Sequence, residues 1–347
     1  SPDRPPHPDV IGTLAAEAAK PGNHGYQPYK GAAVLREAFA LWYKERYGVA
    51  LDPEGEILPL IGSKEGVMHV CMTYLDEGDR VLVPNPGYPT YRSAVTIAGG
   101  VCVDYVLRED GGWVPDFDEI ERGGLQGVKM MIVNYPHMPT GAAPKEGLFR
   151  RLVDFARRHG ILLLHDNPYS FLRNDRPESL LATPGATEVA LELNSLSKSH
   201  CMAGWRIGMI GGARERIDEI IRFKSNMDSG MFYPLQAAAA KALSLGDDWY
   251  RELNALYRRR EAKAYEILDA VGCTYDPVQA GLFVWGRLPE GAGDCYEFSD
   301  RVLNGCGVFL TPGGIFGSEG DRYIRISLCA TEEVLQRAAD QIKGMVL

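Results

Sequence analysis

The stretch Val128–Asp166, VKMMIVNYPHMPTGAAPKEGLFRRLVDFARRHGILLLHD, contains one complete strand, helix and strand unit. Val128 to Val133 is an apolar run of strand length. Leu148, Leu152, Phe155 and Ala156 then recur at helical spacing, and Gly160 stands where a helix C-terminus favours glycine. Ile161 to Leu164 makes the next strand, and Asp166 leaves its end.

The same alternation repeats upstream. Ile57 to Ile61 reads as a strand, Lys64 to Leu75 as a helix, Val81 to Val83 as a strand and Tyr91 to Ala98 as a further helix. This order predicts an α/β fold, with a mostly parallel sheet covered by helices on both faces. Ligands on such sheets bind beyond the carboxyl ends of the strands. Beyond Asp247 the pattern changes to a long polar helix over Trp249–Val271, separated strands near Gly281–Trp285 and Tyr323–Ser327, and a last helix from Glu332. That part predicts a second, smaller domain of mixed α and β character.

The chain has 347 residues, 45% hydrophobic and 24% charged, enough for two domains with large cores. A net charge of -9 argues against a general binder of nucleic acid or anionic membrane, which needs a basic face. Small-molecule chemistry is the better expectation. The seven cysteines are scattered without a CxxC pair and read as thiols in a reducing compartment, not as a disulfide frame or zinc site. No two histidines stand at the i, i+4 spacing of a helix-borne metal site, so no metal is expected. No apolar run is long enough to span a bilayer, and the first twenty residues do not resemble a signal peptide; the expected location is the cytoplasm. The sequence opens at Ser1 without a methionine, as a processed or partial sequence does.

Three strings carry candidate chemistry. Gly62 and Ser63 fall where a strand meets a helix, offering free N–H groups and a hydroxyl at the positive end of the helix dipole; this is either a phosphate cup or a plain capped helix. Asp166 is either a turn former or a buried carboxylate awaiting a cation such as a protonated heteroaromatic nitrogen, with the phenol of Tyr169 three residues on. In SLSKSHCMAGWRIG, Ser195–Gly208, Lys198 has Arg206 as a nearby cation; it is either a solvated loop lysine or an amine activated for attack on an aldehyde.

Taken in order, GYQPYKG at Gly25, GSKEG at Gly62, PNPGYPTY at Pro84, NYPHMPTG at Asn134, HDNPYS at His165, SLSKSHCMAGWRIG at Ser195 and YIRISL at Tyr323 resemble the class I/II aminotransferases of pyridoxal-phosphate fold type I. The resemblance covers nearly the whole chain and leans toward the branch with diaminopimelate and alanine aminotransferases. It implies a large domain over residues 16–247 with a mostly parallel seven-stranded sheet, and a small α+β domain from 1–15 and 248–347. It also implies pyridoxal 5′-phosphate as cofactor and a homodimer with shared sites.

Residue by residue, the resemblance implies that Lys198 forms the imine with the cofactor aldehyde and later moves the Cα proton. Asp166 pairs with the ring nitrogen, Tyr169 donates to the ring's phenolate oxygen and Tyr88 stacks on the ring. Ser63, Lys64, Ser195 and Arg206 match phosphate-binding positions, and Tyr26 matches a tyrosine that reaches the phosphate of the other subunit. Arg325 matches the clamp for the substrate α-carboxylate, whereas Arg322 reads as a solvated surface charge. The family's asparagine before PTG is Met138 here, a thioether that cannot donate, so the imine is expected to hold its proton more tightly unless Asn134 or His137 reaches in. The family's closing N-terminal segment falls before SPD and outside this sequence. The implied reaction is transfer of an amino group from an L-amino acid to a 2-oxo acid. A carbon–sulfur β-lyase using the same Lys198 and a non-enzymatic cofactor-binding sensor are the alternatives.

Overall fold

In the computed structural model, which describes residues 1–344, the two apolar runs at Val128 and Ile161 become neighbouring strands of one seven-stranded sheet. The strands are β1 (Ile57–Leu60), β2 (Arg80–Asn85), β3 (Val101–Val106), β4 (Val128–Asn134), β5 (Leu162–Asp166), β6 (Ala190–Ser195) and β7 (Gly208–Gly212). Their spatial order is β1-β7-β6-β5-β4-β2-β3. β7 runs antiparallel to both its neighbours, and the other pairs are parallel. β3, β6 and β7 add to the strands expected from the sequence.

Apart from the exposed Lys129, the apolar runs follow from burial on both faces. In β4, Met131 and Val133 enter one core while Met130 and Ile132 enter the other. In β5, Leu163 enters the first core and Leu162 and Leu164 the second. Each strand therefore contributes to two cores at once, so a period-two pattern is absent. The helix Leu148–His159 lays Leu152, Phe155 and Ala156 on the first core and ends at Gly160, whose φ of 63° is the left-handed conformation that glycine adopts without strain.

The register brings the functional edge together. Asn134 at the end of β4 pairs with Asp166 at the end of β5, and Ser195 at the end of β6 pairs with Gly208 at the start of β7. Gly208 in turn pairs with Leu60, the last residue of β1. Because β7 is antiparallel, the whole segment 196–207 connects two strands at the carboxyl edge of the parallel ones, and Lys198 and Arg206 are delivered there.

A second sheet contains β8 (Phe283–Arg287), β9 (Thr311–Pro312) and β10 (Tyr323–Ser327), antiparallel in the order β8-β10-β9. The helices Asp247–Ala270 and Glu332–Lys343 pack against each other beside it. The N-terminal segment touches both parts of the molecule: Asp3 accepts two 2.7 Å hydrogen bonds from Arg260, and the helix Pro8–Ala18 lies on the helix Tyr233–Leu243. Arg322 is a partly exposed charge that is also tied to the main chain. Its guanidinium donates to the carbonyls of Pro289 and Gly293, closing the loop after β8. All seven cysteines are unpaired, and among the described residues no helix is long and apolar enough to cross a membrane.

Behind the functional edge lies a polar knot. Glu192 on β6 is fully buried and accepts from the Tyr43 hydroxyl, the Ser179 hydroxyl and the Leu180 N–H, each at 2.8 Å, with His165 Nδ1 at 2.7 Å. Removing this one side chain would orphan several buried donors at once. Glu192→Ala is expected to cost about 3 kcal/mol or more, seen as a lower midpoint in urea unfolding; an unchanged midpoint would contradict the role.

Candidate active site

A cavity of about 460 Å³ opens at this edge and is lined by Ser63, Lys64, Tyr88, Asp166, Tyr169, Ser195, Lys198, Arg206 and Arg325. Those are nine of the ten site residues expected from the sequence. The tenth, Tyr26, does not line it and is 92% exposed. The lining also includes Tyr91, Asn134, Met138 and Phe283, of which the sequence reading gave a role only to the first as part of a helix and to Met138 and Asn134 by position.

Asp166 sits on the cavity floor at the end of β5. Its Oδ2 accepts a 2.7 Å hydrogen bond from the Tyr91 hydroxyl, while Oδ1 is buried without any partner. Burial pushes this carboxyl up to about 6, and the Tyr91 hydrogen bond, His165 and Lys198 act in the opposite direction. A buried acceptor left open costs free energy unless something donates to it. The fitting donor is a cationic N–H.

Lys198 lies on the single turn Leu196–Ser199, whose N-cap hydroxyl, Ser195 Oγ, accepts from the Ser197 N–H at 3.1 Å. Burial lowers its pKa, and the cations Arg206 and Arg325 lower it further, against the pull of Cys329 and Asp166. The amine is thereby moved toward its nucleophilic form.

The phosphate cup has a defined geometry. The helix Ser63–Tyr74 begins without a side-chain cap, so its first N–H groups remain free, and Gly62 before it has φ 82°. A Cβ at Gly62 would overlap the Arg206 guanidinium, and one at Gly208 would come within 2.7 Å of the Ser63 nitrogen. Glycine at these two positions lets Arg206 and the helix start close on one anion.

Arg325 on β10 is held between aromatic faces, its guanidinium carbon 3.9 Å from the Phe283 ring centre and 4.5 Å from that of Phe316. Nη1 donates to Met138 Sδ at 3.3 Å and Nε is buried without a partner. Burial brings its pKa down to about 10, leaving it charged and short of acceptors. A carboxylate would supply them.

Neither candidate replacement for the asparagine lost at Met138 offers a free donor in its place, although Asn134 does line the cavity. Asn134 donates to the Asp166 carbonyl and accepts from the Met138 N–H, both at 2.8 Å. His137 bonds Thr140 Oγ1 at 2.8 Å and is absent from the cavity lining. Apart from this cavity, Glu65, His69 and Asp228 approach metal-ligand spacing, a grouping that histidine spacing in sequence cannot reveal; Lys224 already donates to both Asp228 oxygens.

Comparison with known proteins then decides the family. The family model described as aminotransferase class I and II matches residues 2–342. The chain belongs to the class I and II aminotransferases. It is 40% identical to the LL-diaminopimelate aminotransferase of Oleidesulfovibrio alaskensis, over 99% of this chain and 89% of that one. It is also 40% identical to the LL-diaminopimelate aminotransferase of Dehalococcoides mccartyi, over 97% of this chain and 87% of that one. Among solved structures, substrate-bound BacF of Bacillus subtilis superposes with a TM-score of 0.95 at 35% identity, covering 99% of this chain and 88% of that one. A probable N-succinyldiaminopimelate aminotransferase of Thermus thermophilus gives 0.93 at 36% identity, covering 100% and 93%.

The fold is thus that of the fold type I aminotransferases, and the chain is an aminotransferase, a family whose members use pyridoxal phosphate and act on amino and oxo acids. The lowered pKa of Lys198 has a direct readout. Its labelling by trinitrobenzenesulfonate, followed by peptide mass spectrometry, is expected to rise with pH at a midpoint below the free-lysine value of about 10.4. Arg206→Gln should move that midpoint upward, and a downward move would refute the electrostatic argument.

Proposed function

We propose that this aminotransferase binds pyridoxal 5′-phosphate in the 460 Å³ cavity and takes LL-diaminopimelate as amino donor. The observation that carries the cofactor assignment is the unpartnered Oδ1 of Asp166, in a cavity that Lys198 and Arg325 also line. The donor assignment rests on the named relatives and on the HDNPYS and MAGWRIG strings.

When bound, pyridoxal phosphate supplies an aldehyde for the amine and a ring that withdraws electrons from Cα. Asp166 Oδ1 accepts the ring N–H and keeps that nitrogen protonated. Tyr169, whose phenol is held protonated chiefly by burial, donates to the ring's phenolate oxygen. Tyr88 packs on the ring face. Ser63, Lys64, Ser195 and Arg206 hold the phosphate, with charge and free N–H groups on one side of the cavity. Arg325 would grip the substrate α-carboxylate by its two parallel N–H groups and so fix the orientation of the substrate Cα. Lys198 Nζ, lowered in pKa chiefly by burial, would be the base that takes up the substrate Cα proton and holds it.

The reading extends to assembly. Tyr26, exposed in the single chain, is proposed to reach the phosphate of a second copy, making a homodimer with shared sites. The division into a cofactor domain at 16–247 and a smaller domain at 1–15 and 248–347 belongs to the same proposal, as does a cytoplasmic location.

The test is a single-turnover absorbance screen of the cofactor-loaded protein against the common amino acids and LL-diaminopimelate. The expected result is bleaching of the visible band by LL-diaminopimelate and its recovery on adding a 2-oxo acid. Release of pyruvate and ammonia without bleaching would replace transamination by β-elimination. In the same assay Arg325→Lys, which keeps the charge but loses the planar fork, should lower kcat/KM about 100-fold. An effect under threefold would remove Arg325 from the carboxylate site.

A further inference from the structure

Asp166 leaves its strand with two chemically equivalent oxygens, and one hydroxyl makes them different. We propose that Tyr91 is a positioning residue: it holds the Asp166 carboxylate by Oδ2, so that Oδ1 is the one acceptor left for the cofactor's protonated ring nitrogen. This rests on the assignment of the cavity to pyridoxal phosphate.

The geometry is specific. Tyr91 lies in the first turn of the helix Pro89–Ile97, is itself 1% exposed, and donates to Oδ2 at 2.7 Å. Its ring is fixed edge-on against Tyr88, with centres 5.5 Å apart at 87°, and it packs in the core formed with Ala94 and Val95. The phenol therefore approaches the carboxylate from a rigid element. Asn134, on the adjoining strand, donates to the main-chain carbonyl of Asp166 and fixes the backbone, leaving the side chain to Tyr91. Among the described residues, Tyr91 is the hydrogen-bond donor to that carboxylate.

The groups that act electrically on Asp166 are Tyr91 from the helix, His165 from its own strand and Lys198 from the segment after β6, while Tyr169 from the following turn feels its charge. Burial raises the Asp166 pKa to about 6, and the Tyr91 hydrogen bond is the largest influence lowering it. Tyr91 itself is pushed well above the ordinary phenol range by burial and by Asp166, so it stays a donor. The sign follows. Without the hydroxyl, the folded pKa of Asp166 climbs further, and the charged form that an N–H⁺ requires is lost at higher pH. At alkaline pH the carboxylate is ionised with or without Tyr91, and the difference narrows.

The experiment uses the full chain freed of cofactor, with two probes: pyridoxal phosphate and its 1-deaza isostere, in which CH replaces the ring nitrogen. Equilibrium dialysis of the unsubstituted protein and of Tyr91→Phe is followed from about pH 5 to about pH 9, the range spanning Asp166 titration. The unsubstituted protein should prefer pyridoxal phosphate about tenfold over the isostere. In Tyr91→Phe the acid limb of pyridoxal-phosphate binding should move up by about one pH unit, while isostere binding stays the same. Equal weakening of both probes at every pH would mean that Tyr91 merely packs, and an unmoved acid limb would equally overturn the inference. Absence of a preference for the ring nitrogen in the unsubstituted protein would instead remove the Asp166 assignment, and this inference with it. Should Tyr91→Phe fail to fold, the isotope-edited carboxylate stretch of Asp166 in the unsubstituted protein decides: a band at the free-carboxylate position overturns the inference.

Discussion

The site is organised around a buried carboxylate with one oxygen committed and the other open. An ionised group at the end of a fully buried strand is tolerated only when its desolvation is offset by partners. The protein supplies part of that offset through Tyr91 and withholds the rest, so the cavity favours a ligand that brings a cationic N–H. The sheet serves this arrangement. Register places Asn134 beside Asp166, and the reversed direction of β7 returns the chain so that Lys198, Arg206 and the Ser63 helix start converge on the same edge.

Around Asp166 the charge balance is strongly cationic. Lys64, Lys198, Arg206 and Arg325 line one cavity with a single carboxylate among them. Such crowding of like charges favours the binding of anions, as the proposed phosphate and substrate carboxylate would be. Burial is the main cause that lowers the Lys198 pKa, and repulsion from Arg206 and Arg325 adds to it, so the amine surrenders its proton more readily than one in water.

Much of this was legible in the sequence, for physical reasons that differ by element. β4 and β5 are visible as largely apolar runs because both faces are buried, and Gly160 marks a helix end because the left-handed turn there favours glycine. β7, Gly208–Gly212, carries three glycines in five residues and β3 is a half-exposed edge strand, so neither has the composition that announces a strand. The site strings disclosed residues that line the cavity. They did not disclose Tyr91, whose role is to a side chain 75 positions away, nor the aromatic walls of Arg325, which come from β8 and a short turn at Gly313–Phe316. Contacts between distant segments leave no local pattern.

Met138 illustrates how a departure from a familiar pattern acquires meaning only in three dimensions. In sequence it is, by the family's pattern, a lost hydrogen-bond donor. In the fold its sulfur instead accepts from Arg325 Nη1, while Phe283 and Phe316 cover the guanidinium faces. A thioether is a weak acceptor, and aromatic faces attract the cation without occupying its N–H groups. Arg325 is therefore fixed in place yet almost unsatisfied, with Nε lacking any partner. An asparagine carbonyl at the same position would compete with substrate for those N–H groups more strongly than sulfur does. On the proposed function, the substitution would trade a donor to the cofactor for an Arg325 whose hydrogen-bonding capacity is kept for a carboxylate.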